Sequence, residues 1–272
     1  MMDEDNDKEF FRYKYVPFGA DKLSLNIISQ GSIKLTCPLD FNDPFDCQPL
    51  VSTELLHETG GFNKANALLL DKKLEHSEYV LQRDKMLSDL KLRIHSGEYI
   101  TALLKCIGVL SLSRQYDNAL MWSHYADYHK GFVVGFRYSK PEDLQENVED
   151  TRVEQIIPYI VNYSKNKPVY TLSSKAFDMS ILLTKDAVWG YENEERTFTW
   201  GEMPGIHKYD RAKRLHCVIA GAKISKDDLG LLRNAVQQAS KELGRKIKFK
   251  QARLSEKTYD LEFVDIEYKY KK

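Results

Sequence analysis

The longest apolar runs of this 272-residue chain are the length of a β-strand. Cys217-Val218-Ile219-Ala220-Gly221-Ala222 is typical, and nothing approaches the ~18 residues a membrane-crossing helix needs. Runs that short bury themselves by pairing into a sheet. Phe10–Val16 (F-F-R-Y-K-Y-V) is aromatic and alternates with period two, which predicts a strand closed by Pro17 and Gly19. Further strands are predicted at 32–36, 106–113, 132–136, 156–163, from about Tyr191 to Trp200, 216–224, 246–254 and 259–268.

Helical segments fall between these strands without a regular βα repeat. They are 22–30 behind Asp21, 62–105 divided at Gly97, 119–130 capped by Asp117 or Asn118, 174–187, and 226–243 opened by Ser225. The strand–helix–strand at 106–136 has the order of a crossover unit. The irregular alternation predicts an α+β fold: one domain over 1–272, carrying a solvated helical insertion at 52–105 in which no chemistry is expected.

Forty Lys and Arg against forty Asp and Glu argue against a protein that coats nucleic acid. The start, M-M-D-E-D-N-D-K-E, is the opposite of the positive start of a signal peptide. Cys37, Cys47, Cys106 and Cys217 are far apart, without a C-x-x-C, and read as reduced thiols of a cytoplasmic protein. Scattered histidines with no H-E-x-x-H give no structural zinc signature. No membrane partner and no metal are expected.

Five segments carry candidate chemistry. Asn42-Asp43-Pro44-Phe45-Asp46 offers acceptor oxygens on a rigid loop, either for a ligand or for its own backbone. Met121–His129 (M-W-S-H-Y-A-D-Y-H) would put Trp122, Tyr125, Ala126 and His129 on one helical face, as a pocket wall or as core. In Trp189–Arg196 (W-G-Y-E-N-E-E-R), strand alternation would turn Glu192, Glu194 and Arg196 one way, the two carboxylates about 6.6 Å apart. Such a group is surface decoration or a site. Arg12 and Lys14 share a face of the first strand, as phosphate clamps or as edge-strand cations. The basic stretch His207–His216 has four cations against one acid, and residues 241–272 have ten against six. These can steer a phosphate-rich partner or remain solvated.

Four motifs in order, Tyr13-Lys14-Tyr15, Phe41–Asp46, Met121–Gly131 and Trp189–Arg196, resemble those of an uncharacterised bacterial domain-of-unknown-function family. The chain also bears a remote resemblance to ADP-ribosyltransferases. Arg12, then Ser111-Leu112-Ser113, then Glu192-Asn193-Glu194 follow the order of the subgroup that uses Arg, Ser-x-Ser and Glu-x-Glu. Lys14 stands where another subgroup carries His, and no His occurs in the first strand.

That resemblance implies a split sheet with flanking helices, and NAD as co-substrate without a metal. Glu194 would grip the ribose hydroxyl as positive charge develops, and Glu192 would orient or deprotonate the acceptor. Arg12 or Lys14 would hold the pyrophosphate. Thr36, Asn42 and Asp43 would meet the nicotinamide ribose, Ser113 and Tyr125 would wall the pocket, and Tyr13 and Arg196 complete the set. The acceptor expected is nucleic acid, RNA ahead of DNA. The setting expected is a toxin–antitoxin or phage-defence system with a neutralising antitoxin protein. Two other readings remain: a metal-dependent nuclease using Asp43, Asp46, Glu192 and Glu194, and a binding module for a nucleotide or partner that lacks catalysis.

Overall fold

The computed structural model describes residues 9–52, 74–139, 157–171, 178–200 and 203–270. Among these, an eight-stranded mixed sheet runs in the order β14-β13-β12-β5-β1-β4-β10-β6. Its strands are β1 (Glu9–Val16), β4 (Ile107–Ser113), β5 (Phe132–Ser139), β6 (Tyr159–Ile160), β10 (Glu194–Trp200), β12 (Leu215–Ala220), β13 (Lys248–Leu254) and β14 (Leu261–Asp265). Smaller pairings join β2 (Ser32–Leu35) to β11 (Gly205–Lys208), β3 (Leu50–Ser52) to β8 (Val169–Thr171), and β7 (Asn162–Ser164) to β9 (Thr184–Asp186). The fold is thus mixed, with several helices around a large sheet.

Alternation along the central strands feeds different cores. Leu110, Leu112, Val134, Phe136, Val218 and Ala220 bury one face. Over them lie Ile27 and Ile28 of α1 (Asn26–Ser29) and Leu232, Val236 and Ala239 of α7 (Lys226–Glu242). Ser225 caps α7 by accepting from the Asp228 N–H at 3.0 Å, and the helix carries the chain from β12 to its parallel neighbour β13. On the other face Tyr15, Val133, Ile219 and Ala252 meet Met121 and Trp122 of α4 (Ala119–Tyr125). Ile107 and Val109 meet Ile100 and Leu104 of α3 (Glu98–Leu104).

The end of the predicted insertion is therefore core. In α2 (His76–His95) and α3, separated by Gly97 at φ 75°, the described part of 62–105 is mainly helical as expected. Residues 53–73, and the acidic stretch 140–155, lie outside the described residues.

β1 runs in register with β5 from Glu9↔Ser139 to Val16↔Phe132. It meets β4 at Tyr13↔Ser113, where the two strands part. Both β4 and β5 are antiparallel to β1, so they are parallel to each other with β1 between, and α4 crosses from one to the other.

Four local predictions change. Asn118 caps α4 as expected, but the helix stops at Tyr125 rather than Lys130. Asp127, Tyr128 and His129 then take φ of 47°, 53° and 69°. The reason is the hand-over to β5: His129 stacks on buried Trp122 and its carbonyl accepts from the Lys223 N–H, so the chain must double back. His129 thereby leaves the helical face that spacing assigned to it.

The strand expected from Tyr191 begins at Glu194. Residues Ala187–Glu192 form a 3-10 helix started by the Asp186 side chain, and Asn193 is left-handed at φ 45°. Of the helix expected at 174–187, residues 174–177 lie outside the described residues; among the rest α5 is Ser180–Leu183, and β-branched Thr184 then opens β9. The helix expected at 22–30 is a 3-10 turn, Leu23–Leu25, followed by α1.

Gly131 sits in a tight part of this hand-over. A Cβ there would lie 2.3 Å from the Val16 carbonyl oxygen and 2.9 Å from that of Ala126. Backbone cannot retreat as a side chain can, so Gly131→Ala should cost about 1–3 kcal/mol or more in urea unfolding. Gly97→Ala removes a left-handed glycine where nothing lies within 4 Å, so it should cost less.

Candidate functional site

Where β1 and β4 part, a cleft of about 1220 Å³ opens. Tyr13, Lys14, Thr36, Asn42, Ser113, Tyr125, Glu192, Glu194 and Arg196 all line it, nine of the eleven residues singled out by sequence. Its floor is an ion-pair network. Arg196 is fully buried on β10. Its Nη1 and Nη2 donate to the two Asp46 oxygens at 2.9 and 2.6 Å, and its Nε and Nη2 donate to Glu194 at 2.8 and 3.0 Å. The Phe41 ring lies 5.3 Å from the guanidinium. The F-N-D-P-F-D loop is thus held to β10 from below.

Lys185 of β9 supplies the second cation. Its Nζ stands 2.5 Å from Glu192, 3.1 Å from Glu194 and 3.7 Å from Asp46. Tyr125 on α4 donates its hydroxyl to the other Glu192 oxygen at 2.6 Å. The Ser113 hydroxyl donates to the Glu192 carbonyl at 2.7 Å, and the Glu194 N–H donates to the Tyr163 hydroxyl at 2.7 Å. Glu192 and Glu194 converge because left-handed Asn193 turns the chain between them, not because they alternate along one strand.

The two carboxyls are driven in opposite directions. Burial alone would raise Glu194, but the Arg196 guanidinium and the Lys185 ammonium overcome it and hold the carboxyl at about 2. At Glu192, burial and the neighbouring Glu194 charge outweigh Lys185 and Tyr125, and its pKa is raised. The Tyr125 hydroxyl is raised by burial and by its bond to Glu192. Burial lowers Lys14 to about 8, although Glu194 and Glu192 pull the other way. Its Nζ donates to the Ser111 carbonyl at 3.1 Å, across the gap between the parting strands.

Two of the eleven residues lie elsewhere. Arg12 is ion-paired to Glu195, its Nε and Nη2 at 2.5 and 2.7 Å from the two oxygens. Strand alternation sends Glu195 to the face opposite Glu194, and Arg12 follows it. Asp43 accepts from the Trp189 Nε1–H at 2.7 Å and from the Phe45 N–H at 2.9 Å, so both its oxygens serve the loop.

The basic stretch 207–216 does not reach the cleft either. Lys208 donates to the Gln30 carbonyl, and Arg211, which opens α6 (Arg211–Arg214), to those of Ile28 and Ser29 and to Glu242. These cations close the C-terminal end of α1. Arg214 donates to the Arg137 carbonyl and lies over the Tyr138 ring.

Lys185 was not singled out by sequence, and Asp46 only as an acceptor of its loop and as a metal ligand of the nuclease reading. The one signal for Lys185 is a lone cation in the run S-I-L-L-T-K-D-A-V-W, where a buried ammonium needs acids. Among the described residues no group of three or more His, Cys, Asp or Glu is arranged to hold a metal ion. Asp46, Glu192 and Glu194 do converge, yet the Lys185 ammonium stands at the point they share.

Residues 121–197 match the model of a family described as a protein of unknown function, DUF2971. That span runs from α4 to the start of β10. It contains Tyr125, Lys185, Glu192, Glu194 and Arg196. No curated protein and no solved structure matches the chain.

Removing one partner of a buried network leaves charge behind. Arg196→Met strands Asp46 and Glu194, and should lower unfolding stability by about 3–5 kcal/mol in urea titration. Lys14 behaves oppositely. Its pKa of about 8 lies below the unfolded value, so the folded state loses stability by holding this proton, and regains it as pH rises above about 8. Lys14→Met should therefore stabilise the fold at pH 7 by about 1–2 kcal/mol, and the gain should shrink towards pH 10.

Proposed function

We propose that the cleft binds NAD, breaks its nicotinamide–ribose bond and transfers ADP-ribose to a nucleic acid acceptor, RNA ahead of DNA. The observation that carries this reading is the pair of carboxyls on one floor with opposite titration: Glu194 held ionised and Glu192 raised. Two acids set apart by their surroundings are the usual signature of divided acid–base labour.

In this reading the C1′–N bond breaks and its electrons go to the pyridinium nitrogen, releasing neutral nicotinamide. The permanently negative Glu194 stabilises the oxocarbenium-like centre. A hydroxyl or amine of the acceptor forms the new bond to C1′ and passes its proton to Glu192, which Tyr125 and Lys185 orient. Lys14 receives the pyrophosphate in place of Arg12, because Arg12 is committed to Glu195. Thr36 and Asn42 flank the ribose, while Asp43 supports the wall through Trp189. The volume exceeds the about 300–1,000 Å³ of small-ligand pockets, which leaves room for a dinucleotide.

Such a reaction on cellular RNA would harm the cell that makes the protein. This fits a toxin–antitoxin or phage-defence setting with a neutralising partner protein. The nuclease reading is disfavoured by Lys185, which already neutralises the carboxylates a cation would need. One observation favours a binding module: each floor carboxylate already has a cationic partner. That reading expects NAD to bind without turnover.

The deciding assay is release of nicotinamide from labelled NAD, with and without RNA. Glu192→Gln should lower the rate about 10²–10⁴-fold. The rate should rise with pH as Glu192 ionises, above the ordinary carboxylate range, and fall again near pH 8 as Lys14 loses its charge. Binding of NAD without any release of nicotinamide would replace the transferase with the binding module.

A further inference from the structure

At the edge of the cleft, which His124 lines, stands an aromatic group whose rings the proposed chemistry does not use. His124 is exposed, and Trp189 and Tyr191 are half-exposed. Ring centroids are 6.4 Å apart for His124–Trp189 and His124–Tyr191, and 6.1 Å for Trp189–Tyr191. Interplanar angles of 70°, 34° and 42° mean that no pair in the group stacks face to face.

The rings are fixed from behind. The Trp189 N–H is consumed by Asp43, so this residue offers ring surface rather than a donor. The Tyr191 carbonyl accepts from the Asn118 side chain at 3.0 Å, tying it to the start of α4. Val188, next to Trp189 in sequence, is 69% exposed, and Leu120, one helical turn before His124, is 53% exposed. Rigid aromatic surface left in water beside a site marks a binding surface.

Charge indicates the partner. Arg114 follows β4 directly, and its Nη2 reaches the Asn193 side chain at 3.2 Å. Its Nε lies 4.0 Å from Glu195, which Arg12 already pairs, and its side chain is 43% exposed, so a cation with charge to spare stands at the Tyr191–Asn193 turn. Aromatic planes beside a cation are how single-stranded nucleic acids are held: bases stack and phosphates pair. A duplex keeps its bases stacked on each other and cannot use the rings.

We propose that His124, Trp189 and Tyr191 form a stacking platform for bases of a single-stranded nucleic acid, with Arg114 on its phosphate backbone. The inference rests on the transferase reading for its purpose, which is to lay an acceptor nucleotide beside Glu192. The binding itself stands apart from catalysis.

The test is fluorescence anisotropy of labelled 12-mers of uridine RNA and thymidine DNA and of a DNA duplex, at two salt concentrations. Single strands should bind and the duplex bind more weakly, with RNA against DNA deciding the sugar. Trp189→Ala and Tyr191→Ala should each weaken binding about tenfold, within the range of one lost base stack. Trp189→Phe should restore most of it, which a merely structural role of Trp189 would not. Arg114→Gln should flatten the salt dependence. Equal or tighter binding of duplex, or wild-type affinity in both alanine variants, overturns the platform. Nicotinamide release without oligonucleotide binding, or with transfer only to protein, also overturns it and leaves the transferase standing. Ring-dependent binding without nicotinamide release keeps the platform and removes the transferase.

Discussion

The buried guanidinium of Arg196 is the interaction on which the cleft depends. It reaches Asp46 across 150 residues of sequence and Glu194 two residues away, with no exposure to solvent. A lone charge there would be prohibitive, so the Phe41–Asp46 loop and the start of β10 must come together or not fold. Lys185 adds a second cation among the same acids, and Tyr125 brings α4 onto Glu192. Four separated segments are thereby registered to one another by charge and hydrogen bonds, in addition to the apolar contacts among Phe41, Cys47, Leu182 and Phe198.

The space above this network comes from the sheet. β1 is fully paired to β5 but leaves β4 beyond Tyr13↔Ser113, and Lys14 bridges the opening with one bond to the Ser111 carbonyl. On one face both strands share the core under α1 and α7, but on the other β1 is fixed under α4 and β4 under α3. The cleft is the seam between these packed regions. A partly buried lysine at such a seam costs the fold stability, and an anion entering the cleft would relieve that cost.

The strained corner after α4 serves the same seam. Three successive left-handed residues, Asp127 to His129, turn the chain from helix to strand within the reach of Gly131 and Gly221. Asp127 and Tyr128 line the cleft on the way. Strain of this kind persists only where packing over-determines it, here through Trp122 stacked on His129.

The sequence by itself determined what depends on neighbours along the chain. Alternating side chains set the faces of β1, β4, β5 and β12, Asn118 and Ser225 set the helix starts, and Gly97 divided the helices of the insertion. It also grouped Glu192, Glu194 and Arg196, with Tyr125 added only by the family resemblance, although the geometry inferred for the two acids was wrong, since Asn193 turns the chain between them. Only the tertiary structure decided which charges meet. Arg12 went to Glu195, Asp43 to Trp189, and the cations of 207–216 largely to backbone carbonyls, while unremarked Lys185 moved to the centre. The reason is physical. A periodic apolar pattern is fixed by bond geometry within a few residues, but an ion pair is chosen by which buried charges the finished packing leaves within reach of one another.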